Sequence, residues 1–521
     1  MPSRLNLFEK KTFRLKIIQP YDVIFVTLRL NISLMKNLIV AREKEQAVFE
    51  RLLAEPTAQL LAVYGRRRTG KTFLVREYFD GRFAFQHTAV SPMELKERDR
   101  GAELLYRIQL NEFAASLRKY GSKDETPIPD WFDAFHRLEK LLEKKRSKGK
   151  MVVFIDELPW LDTPRAGFLS AFEHFWNGWG AGKHNLLLVV CGSATTWMLD
   201  NLINSKGGLY GRTTCEMHLH PFTLAETEAY LFHRGITTDR YDVVQTYMLT
   251  GGVAYYLSYF HPGCSLAENI DGLFFAENGF LQTEYDRLFT SLFADNEGYR
   301  RIVEALSSNR YGLTRDVIAQ KSGISLGGTL SNMLKALVKS DLIITYWNYG
   351  ESKKVQYYKL TDMFCLFYLG FVLRNPSNNR TFWHDNQNSP KINSWRGRAF
   401  EDVCFVHQMQ IRRALSVGGV QAEIYPWHAT DSGKGDDAQI DMLIIRADRV
   451  VNLCEMKFSQ SEFVITKEYD ARLRSKISAL QEHTGGKFNV QPTLVTTFGL
   501  KQNMYSSRIQ RIVTIDNLFE Q

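Results

Sequence analysis

Closely spaced cysteines are missing from this sequence of 521 residues. Its six cysteines lie far apart, and no two of them form a CxxC pair. This spacing argues against a zinc site and a disulfide framework, and it predicts reduced, mostly buried thiols in a cytoplasmic protein. Long apolar runs are missing as well, since no stretch reaches the roughly 18–20 uncharged apolar residues of a membrane helix. We therefore expect no membrane partner.

A strong net charge is also absent. The formal charge is +9, and residues 1–34 contain six basic and two acidic residues, so they supply +4 of it. The small surplus that remains permits nucleic-acid contact without requiring it. Hydrophobic residues make up 44% and charged residues 24%, which is typical of folded proteins, and the length suffices for roughly three or four domains. Residues 1–34 fit either an upstream extension of the reading frame or a basic arm.

Four apolar runs alternate with helical patterns in the first 200 residues of the chain. They span residues 59–64, 83–90, 151–157 and 186–191. Near-continuous apolar strands separated by helices describe a parallel sheet that is buried on both faces. The sequence therefore predicts an α/β fold in this part of the chain.

The segment GRRRTGKT stands between the first apolar run and a helical pattern, and it fits the phosphate-binding motif GxxxxGK[ST]. Glycines in such a loop let backbone N–H groups close around phosphates, and the helix N-terminus adds a favourable dipole. Lys71 would reach the β- and γ-phosphates, and the Thr72 hydroxyl would ligate Mg²⁺. The alternative is a chance match in a basic loop. The candidate nucleotide-binding residues of this loop are Gly65, Arg66, Arg67, Arg68, Thr69, Gly70, Lys71 and Thr72.

The third apolar run ends in two acids, Asp156 and Glu157, and Asp156 follows Lys71 by 85 residues. In P-loop enzymes the first acid holds the coordination shell of Mg²⁺, and an adjacent Glu can orient and polarise the attacking water. The alternative is that both acids only cap the next helix. An NKxD motif is absent from the sequence, which disfavours GTP. We therefore expect ATP and Mg²⁺ as cofactors and Glu157 as the catalytic residue.

These motifs together resemble the archaeal-type ATPases of the AAA/STAND class. The resemblance rests on GRRRTGKT, FIDELPW, CGSATTWM, LYGR and HLHPF, and it covers roughly residues 36–460. It implies a P-loop ATPase core followed by a helical lid, a winged helix and often a C-terminal nuclease-like domain. Related ATPases place a polar sensor where Ser193 stands, and Arg212 is a candidate for sensing phosphate charge. The alternatives are a helix cap for Ser193 and a surface position for Arg212.

One segment departs from the pattern of this family. The family commonly has Gly-Gly-x-Pro in the lid, with the proline near the nucleotide base. This chain has Gly251, Gly252, Val253 and Ala254 instead. The departure affects the expected contact to the base and leaves the expected phosphate site unchanged.

A helix-turn-helix pattern with a two-stranded wing follows in the middle of the chain. The pattern spans residues 314–343 with Gly323 at the turn, and the wing would offer Lys353 and Lys354. A helix that reads DNA is one interpretation. The other is a module that packs against the ATPase as a signalling or assembly element, because the third helix is only weakly basic.

A second constellation of charged residues lies near the C-terminus. Glu401 stands in an amphipathic helix, Asp441 in an apolar strand, and both Glu455 and Lys457 in the next strand. The pattern resembles the PD-(D/E)xK core of restriction endonucleases. The resemblance implies a divalent metal bound by the three acids, while Lys457 activates water or stabilises the developing phosphorane charge. The alternative is a degenerate nuclease fold that is kept as an interaction domain.

Two other patterns predict structural roles. His218 and His220 alternate on a short predicted strand, but no cysteine or acid completes a metal set, so we expect a core or surface role. Aromatic residues are spread through the chain rather than aligned as a base-stacking platform, so we expect most of them in hydrophobic cores.

We therefore predict a multidomain α/β protein that binds ATP with Mg²⁺ and hydrolyses it as a molecular switch, coupled to DNA binding or cleavage. The rival is a nucleotide-regulated transcription or scaffold protein with an inactive nuclease-like domain and protein partners at the winged helix. A third hypothesis is an ATP-binding module without turnover, and the presence of Glu157 argues against it. The sequence does not indicate an oligomeric state. The predicted domains are an N-terminal extension (1–34), a P-loop ATPase core (35–222), a helical lid (223–290), a winged helix-turn-helix (291–374), a linker (375–389) and a restriction-endonuclease-like α/β domain (390–521).

Overall fold

The computed structural model describes residues 39–92, 102–205, 207–293, 296–350, 355–375, 379–428 and 439–520. The predicted N-terminal extension 1–34 and the predicted wing residues Lys353 and Lys354 lie outside these ranges. None of the helices in the described ranges combines the length and the apolar character that crossing a membrane requires. All six cysteines are free thiols, four of them buried and Cys264 exposed, which agrees with the prediction of reduced, mostly buried thiols.

A five-stranded parallel sheet forms the N-terminal part. Its strands are β1 (Gln59–Tyr64), β2 (Phe83–Thr88), β3 (Met151–Asp156), β4 (Leu186–Gly192) and β5 (Cys215–His218). The spatial order is β2-β3-β4-β1-β5, and every neighbouring pair is parallel. All residues of β3 and β4 are buried. The α/β fold with a parallel sheet, predicted from the apolar runs, is confirmed.

Two hydrophobic clusters cover the two faces of this sheet. Successive strand residues point alternately into one cluster and the other, as Val153 and Phe154 of β3 do. This two-sided burial explains why the strands are nearly continuous apolar runs. The helices of this part are α1 (Glu43–Ala54), α2 (Lys71–Phe79), α3 (Ala102–Lys119), α4 (Trp131–Glu143) and α5 (Phe168–Gly178), with short helical turns at Leu158–Leu161, Gly180–Gly182, Thr195–Trp197 and Met198–Ile203.

A run of helices, residues 222–293, follows the sheet where the helical lid (223–290) was predicted; we call it the lid, and its function as a lid stays a prediction. Gly252 has a φ of 69°, and a Cβ there would lie 2.1 Å from the carbonyl oxygen of Phe222. Only glycine fits such a turn, so position 252 requires glycine whichever residue stands at position 254. The lid helices are α6 (Leu224–His233), α7 (Arg240–Thr250) and α8 (Glu284–Leu292), with short helices at Ala254–Leu257, Leu266–Ile270 and Asp271–Phe275.

The middle module, residues 296–350 and 355–360, contains three helices and a small antiparallel sheet. The helices are α9 (Glu297–Ser307), α10 (Arg315–Ser322) and α11 (Gly328–Lys339). The strands are β6 (Leu313–Thr314), β7 (Ile343–Tyr346) and β8 (Tyr357–Leu360), in the order β6-β8-β7. Gly323 ends α10 with a φ of 68°. The winged-helix interpretation of this module stays a prediction.

A mixed five-stranded sheet forms the C-terminal part. Its strands are β9 (Ala422–His428), β10 (Gln439–Arg446), β11 (Val450–Lys457), β12 (Asn489–Thr496) and β13 (Arg511–Thr514). The order is β13-β12-β11-β10-β9, with β9 to β11 antiparallel and β11 to β13 parallel. The helices are α12 (Pro390–Val406), α13 (Gln408–Ala414) and α14 (Lys467–His483), with short helices at Ser506–Arg508 and Ile515–Leu518. The nuclease-like interpretation of this part stays a prediction.

The described residues of the predicted linker, 375 and 379–389, are anchored by one buried side chain. Its short helix Phe382–Asn386 carries Trp383, of which only 2% is exposed. The backbone N–H groups of Trp383 and His384 donate to the two carboxylate oxygens of Asp271, at 2.7 and 3.0 Å. Polar residues dominate this segment, and for that reason a linker was predicted. The one tryptophan that anchors the segment gives no separate signal in such a composition.

One hydrophobic cluster runs from the lid through the middle module to the C-terminal sheet. It begins at Phe222 and includes Phe519 near the end of the described chain; the turns Met363–Phe367 and Tyr368–Val372 contribute to its centre. The sheet of β1 to β5 has its two separate clusters. Packing therefore divides the described residues into a sheet domain and a larger second body that begins near residue 222.

Candidate functional site: a phosphate loop and a carboxylate centre

The loop between β1 and α2 is shaped by two glycines. Gly65 has a φ of 133°, and a Cβ there would lie 2.6 Å from the backbone oxygen of Leu219. Gly70 has a φ of 93° and precedes Lys71, the first residue of α2. Both conformations favour glycine. The loop brings the N-terminus of α2 to the carboxyl end of the parallel sheet, which is where such sheets bind ligands.

Lys71 lies inside this loop and is 5% exposed. Its ammonium donates to the backbone oxygens of Gly65 at 2.9 Å and of Arg66 at 2.8 Å. Burial lowers the pKa of Lys71 below its ordinary value, although nearby acidic groups oppose this shift. The structure thus places a cation among the backbone groups that would surround phosphates.

Two predicted magnesium ligands meet where α2 begins and β3 ends. The Thr72 hydroxyl donates to Asp156 Oδ1 at 3.0 Å, and the backbone N–H of Glu157 donates to the same oxygen at 3.1 Å. Burial, and then the neighbouring Glu157, raise the pKa of Asp156. Hydroxyl and carboxylate oxygens are hard ligands of the kind that Mg²⁺ binds. Thr72 and Asp156 therefore fit the ion that accompanies a nucleoside triphosphate.

Glu157 and Ser193 contact each other at the ends of neighbouring strands. Oε2 of Glu157 accepts from the backbone N–H of Ser193 at 3.0 Å and from its hydroxyl at 2.9 Å. The N-cap position of the following helix is Ala194, so Ser193 does not serve as that cap. Glu157 itself has a φ of 51°, which is uncommon for a residue other than glycine. The backbone turn and Ser193 together fix where the carboxylate lies.

A cavity of about 590 Å³ opens beside these groups. Its size lies within the range of about 300–1,000 Å³ that is typical of small-molecule sites. One part of the lining consists of predicted residues, namely Arg67, Arg68, Thr69, Gly70, Lys71, Thr72, Glu157 and Ser193. Motif analysis missed the other lining residues because most of them belong to the lid or to the residues just before α1. They are Ile39, Val40, Arg42, Phe73, Leu74, Phe222, Tyr230, His233, Arg234, Ala254, Tyr255 and Ser258. A basic loop beside aromatic side chains suits a ligand with both phosphates and a base.

Arg66 was predicted to bind the nucleotide, and its side chain has another partner. Its Nη2 lies 2.6 Å from Asp362 Oδ2, and both side chains are almost fully buried. Arg66 stands outside the group of described residues that line the cavity. A guanidinium buried this deeply needs a carboxylate beside it, and Asp362 meets that need. The Arg66 side chain is therefore engaged by Asp362, and nucleotide binding by Arg66 through the backbone of the loop stays a prediction.

Arg68 is shared between the cavity and the lid. Its Nε and Nη2 donate to the two carboxylate oxygens of Glu284 in α8, at 3.0 and 3.1 Å. Glu284 is fully buried, and the guanidinium lies 3.9 Å from the centre of the Tyr255 ring. Burial, and then the charge of Arg68, lower the pKa of the neighbouring Arg67. The loop thus contributes Arg67 to the cavity wall and shares Arg68 between the cavity and the lid.

Arg212 was predicted to sense phosphate charge, and it lies elsewhere. The residue is exposed, and it stands outside the group of described residues that line the cavity. Its backbone N–H donates to the oxygen of Leu209 at 3.0 Å in a surface turn. The surface interpretation is the one that the structure favours for this side chain.

A second group of predicted residues converges where α12 packs against β11. Lys457 Nζ lies 3.3 Å from Asp441 Oδ2 and 3.4 Å from Glu455 Oε2. Burial, and then the Asp441 carboxylate, raise the pKa of Glu401 to about 7. Burial lowers the pKa of Lys457, but Asp441 and Glu455 raise it by more, so the net shift is upward. Three carboxylates and one lysine therefore share one centre, which we call the carboxylate centre.

Helix α14 contributes two side chains to this centre that sequence reasoning missed. Lys476 Nζ lies 2.5 Å from Glu455 Oε1, and the Tyr469 hydroxyl donates to Glu455 Oε2 at 3.0 Å. Glu455 is 1% exposed, so these contacts satisfy a carboxylate that water does not reach. Lys476 is one of several charged residues of α14, so the sequence gives no indication that it pairs with Glu455.

Arg310 reaches the same centre from the middle module. Its Nη1 lies 3.9 Å from Glu401 Oε1, and its Nη2 lies 4.0 Å from Asp441 Oδ1. The guanidinium therefore stands beside the two carboxylates that Lys476 does not contact. Its position depends on how the module packs against α12, so it could not be predicted from the sequence.

Residues 39–260 are similar to a known class of ATPase domain. They match the family described as an ATPase domain predominantly from Archaea. The match includes the parallel sheet, the phosphate loop and the first lid helices. This part of the chain is therefore similar to archaeal-type ATPase domains, which supports binding and hydrolysis of ATP in general terms.

Individual relatives extend over more of the chain. The uncharacterized protein MJECL04 of Methanocaldococcus jannaschii is 25% identical over 354 residues, which cover 65% of this chain and 70% of the relative. The Walker-type ATPase PABY2304 of Pyrococcus abyssi is 19% identical, with a TM-score of 0.43, over 64% of this chain and 96% of its own. The ORC2 protein of Aeropyrum pernix, solved as ADPNP–ADP complexes, is 14% identical, with a TM-score of 0.39, over 64% of this chain and 92% of its own.

The geometry of Gly65 yields a prediction. Gly65→Ala places a Cβ against the Leu219 oxygen in a conformation that alanine rarely adopts. Gly121 has a comparable φ of 107°, but a Cβ there would meet no described atom within 4 Å, so Gly121→Ala is the matched control. We expect Gly65→Ala to lower the free energy of unfolding by about 2 kcal/mol more than the control does, because it adds overpacking to backbone strain. Urea unfolding measures this difference, and equal midpoints would contradict it.

Proposed function

We propose that the protein binds ATP with Mg²⁺ and hydrolyses it as a molecular switch. The observation that carries the proposal is the convergence of a buried cation, two oxygen ligands and a carboxylate beside one cavity. Lys71, Thr72 and Glu157 line this cavity, and Asp156 accepts a hydrogen bond from Thr72. The similarity of residues 39–260 to ATPase domains supports the same activity.

Each of these residues has one task in the proposed reaction. Lys71 binds oxygens of the β- and γ-phosphates as a fixed cation. Thr72 and Asp156 would hold Mg²⁺, which neutralises phosphate charge when it is bound. Glu157 orients and polarises the attacking water. Ser193 holds Oε2 of the Glu157 carboxylate at 2.9 and 3.0 Å, so Oε1 is the oxygen that would accept a hydrogen bond from that water.

Two substitutions test the proposed reaction. Lys71→Ala should weaken ATP binding by about a hundredfold, because it removes charge-assisted hydrogen bonds to the phosphates. Glu157→Gln should keep ATP binding and lower kcat by about a hundredfold or more, since an amide cannot act as a base. Calorimetry and a phosphate-release assay separate the two effects. Lys140→Ala, which removes an exposed lysine of α4, is the control. Undiminished turnover in Glu157→Gln would exclude the role assigned to Glu157.

Two ion pairs support a switch rather than an isolated ATPase. Arg66 and Arg68 belong to the phosphate loop, while their partners Asp362 and Glu284 belong to the second body. Arg68 also lines the cavity, so phosphate oxygens would compete with the buried Glu284 for its guanidinium. Loss of the Arg68–Glu284 pair would release α8 from the loop. Nucleotide binding would in this way change how the second body docks.

The competition for Arg68 can be measured. Glu284→Gln removes the competing charge, so ATP should bind about tenfold more tightly, since a charge-assisted hydrogen bond contributes about 1.5–3 kcal/mol. The same variant should lose any ATP-dependent change in hydrogen exchange of α8. Glu228→Gln is the matched control, because Glu228 pairs in the same way with Arg240 away from the loop. Weaker ATP binding in Glu284→Gln would contradict competition and indicate that Glu284 positions Arg68 for the nucleotide.

The carboxylate centre favours a second candidate function, metal-dependent cleavage of a phosphodiester bond in nucleic acid. Three neighbouring carboxylates repel one another unless positive charge lies among them, and in the structure Lys457, Lys476 and Arg310 supply that charge. A divalent cation held by Glu401, Asp441 and Glu455 would have to displace some of these contacts, and Lys457 would then lie close enough to contact the same phosphate. A helix-turn-helix in the middle module would bring DNA or a protein to this centre. The alternative is a domain whose lysines and arginine replace the metal permanently and which serves only as an interaction module.

Arg310 decides between these alternatives, because it stands where a cation would meet Glu401 and Asp441. If the centre is a nuclease closed by the module, Arg310→Ala should strengthen Mn²⁺ binding and increase plasmid cleavage. Asp441→Asn should abolish both and leave ATP hydrolysis unchanged. Arg301→Ala, which removes an exposed arginine of α9, is the control. Calorimetry and gel assays on DNA and RNA are the measurements. If neither wild type nor Arg310→Ala binds Mn²⁺ or cleaves nucleic acid, the nuclease hypothesis is excluded and the interaction-module alternative is retained.

A further inference from the structure

His218 and His220 lie at the edge of the parallel sheet, beside the phosphate loop. β5 is an edge strand, and it places His218 directly opposite Tyr64 of β1. The two rings stack with their centres 4.9 Å apart. A spacing of two residues puts both imidazoles on one side of the chain, with ring centres 3.9 Å apart.

An acid from the middle module completes this pair. Asp341 lies in the turn after α11, and its Oδ2 is 2.8 Å from His218 Nε2. Ligand atoms of His218, His220 and Asp341 all lie within 4.8 Å of one another. The expectation that no acid joins the two histidines is therefore wrong. The separation along the chain, 123 residues between His218 and Asp341, explains why sequence spacing gave no sign of it.

We infer that His218, His220 and Asp341 bind a divalent transition-metal ion of the zinc class. Two imidazole nitrogens and one carboxylate oxygen, with water in a fourth position, are a ligand set that Zn²⁺ takes in proteins. Imidazole ligands disfavour Mg²⁺ and Ca²⁺, which prefer oxygen. Ligand atoms on one tetrahedral zinc lie about 3.4 Å apart, so small side-chain rotations bring the three groups into place.

The surroundings of His220 agree with a ligand role. Arg42 donates to the backbone oxygen of His220 at 2.8 Å and does not use the ring nitrogens for that contact. A histidine–aspartate ion pair accounts for His218 and Asp341 alone. The second imidazole beside them is what a metal site requires in addition.

The inferred ion would tie the middle module to the sheet domain next to the phosphate loop. The Cβ that Gly65 lacks would lie 3.0 Å from Cδ2 of His218, so the histidine touches the first residue of the loop. Lys339 at the end of α11 forms an ion pair with Asp200 of the sheet domain at 2.6 Å, which marks the same docking surface. Bound metal would strengthen this docking. The inference does not depend on ATP hydrolysis or on nuclease activity.

Metal titration of the full chain without nucleotide tests the site. Zn²⁺ binding is measured by calorimetry, and Co²⁺ binding by the visible absorption of tetrahedral cobalt. We expect His220→Gln and Asp341→Asn each to weaken one binding event at least about tenfold and to lose the cobalt signal. Both variants should fold, because His220 is exposed and asparagine tolerates the φ of 58° at position 341. Circular dichroism checks this.

A matched control and a second readout make the result decisive. His136→Gln removes an exposed histidine that lies 3.4 Å from Glu139, an ordinary histidine–acid pair, and it should leave the titration unchanged. Ions at the carboxylate centre contribute equally to all variants and cancel in the comparison. Zn²⁺ should also raise the Tm of wild type more than that of His220→Gln or Asp341→Asn. Zinc binding and Tm shifts that are equal in wild type and His220→Gln, or an absence of both in wild type, would overturn the inference.

Discussion

The buried ion pairs of Arg66 and Arg68 constrain the rest of the structure. Two arginines of one short loop carry charges that carboxylates of another body neutralise, Asp362 for the first and Glu284 for the second. Breaking a buried pair by removing one partner typically costs about 3–5 kcal/mol, because the remaining charge is uncompensated. The docking of the second body therefore depends on arginines that belong to the phosphate loop. The remaining contacts between the two bodies, such as the one between Lys339 and Asp200, add to an arrangement that these pairs already determine.

The ATPase sheet and most of the phosphate site could be predicted because their signals are local. An apolar strand buried on two faces has a composition that stands out, and a phosphate loop needs glycines at particular turns. Lys71 and Thr72 follow from that loop, and Asp156 follows from its place at the end of β3. Part of the carboxylate centre could also be predicted from local signals. Strand register brings Asp441 and Glu455 together, whereas Lys476 and Arg310 depend on packing.

Partners that are distant in the sequence could not be predicted. The motif gave Arg66, Arg67 and Arg68 equal weight, although the carboxylates that separate their roles stand more than 200 residues away. Similarly, polar neighbours concealed the buried Trp383 in the expected linker. Composition describes a segment on average, while burial is decided by single side chains and by what the fold places against them. The phosphate loop and the carboxylate centre therefore depend partly on contacts between residues that are distant in the sequence, and no sequence motif records such contacts.

The hydrophobic cluster that begins at Phe222 has a consequence for motion. By similarity, the lid helices α6 and α7 belong with the ATPase, because the family match continues to residue 260. By packing, they belong with everything that follows, because their apolar side chains share one cluster with the middle module and the C-terminal sheet. A rotation of the lid against the sheet would therefore be shared by the middle module and by the face of the C-terminal sheet that packs in this cluster, and the residues between β5 and Phe222 connect the two bodies along the chain. A change at the phosphate loop would in this way reach strands that lie far from it in the sequence.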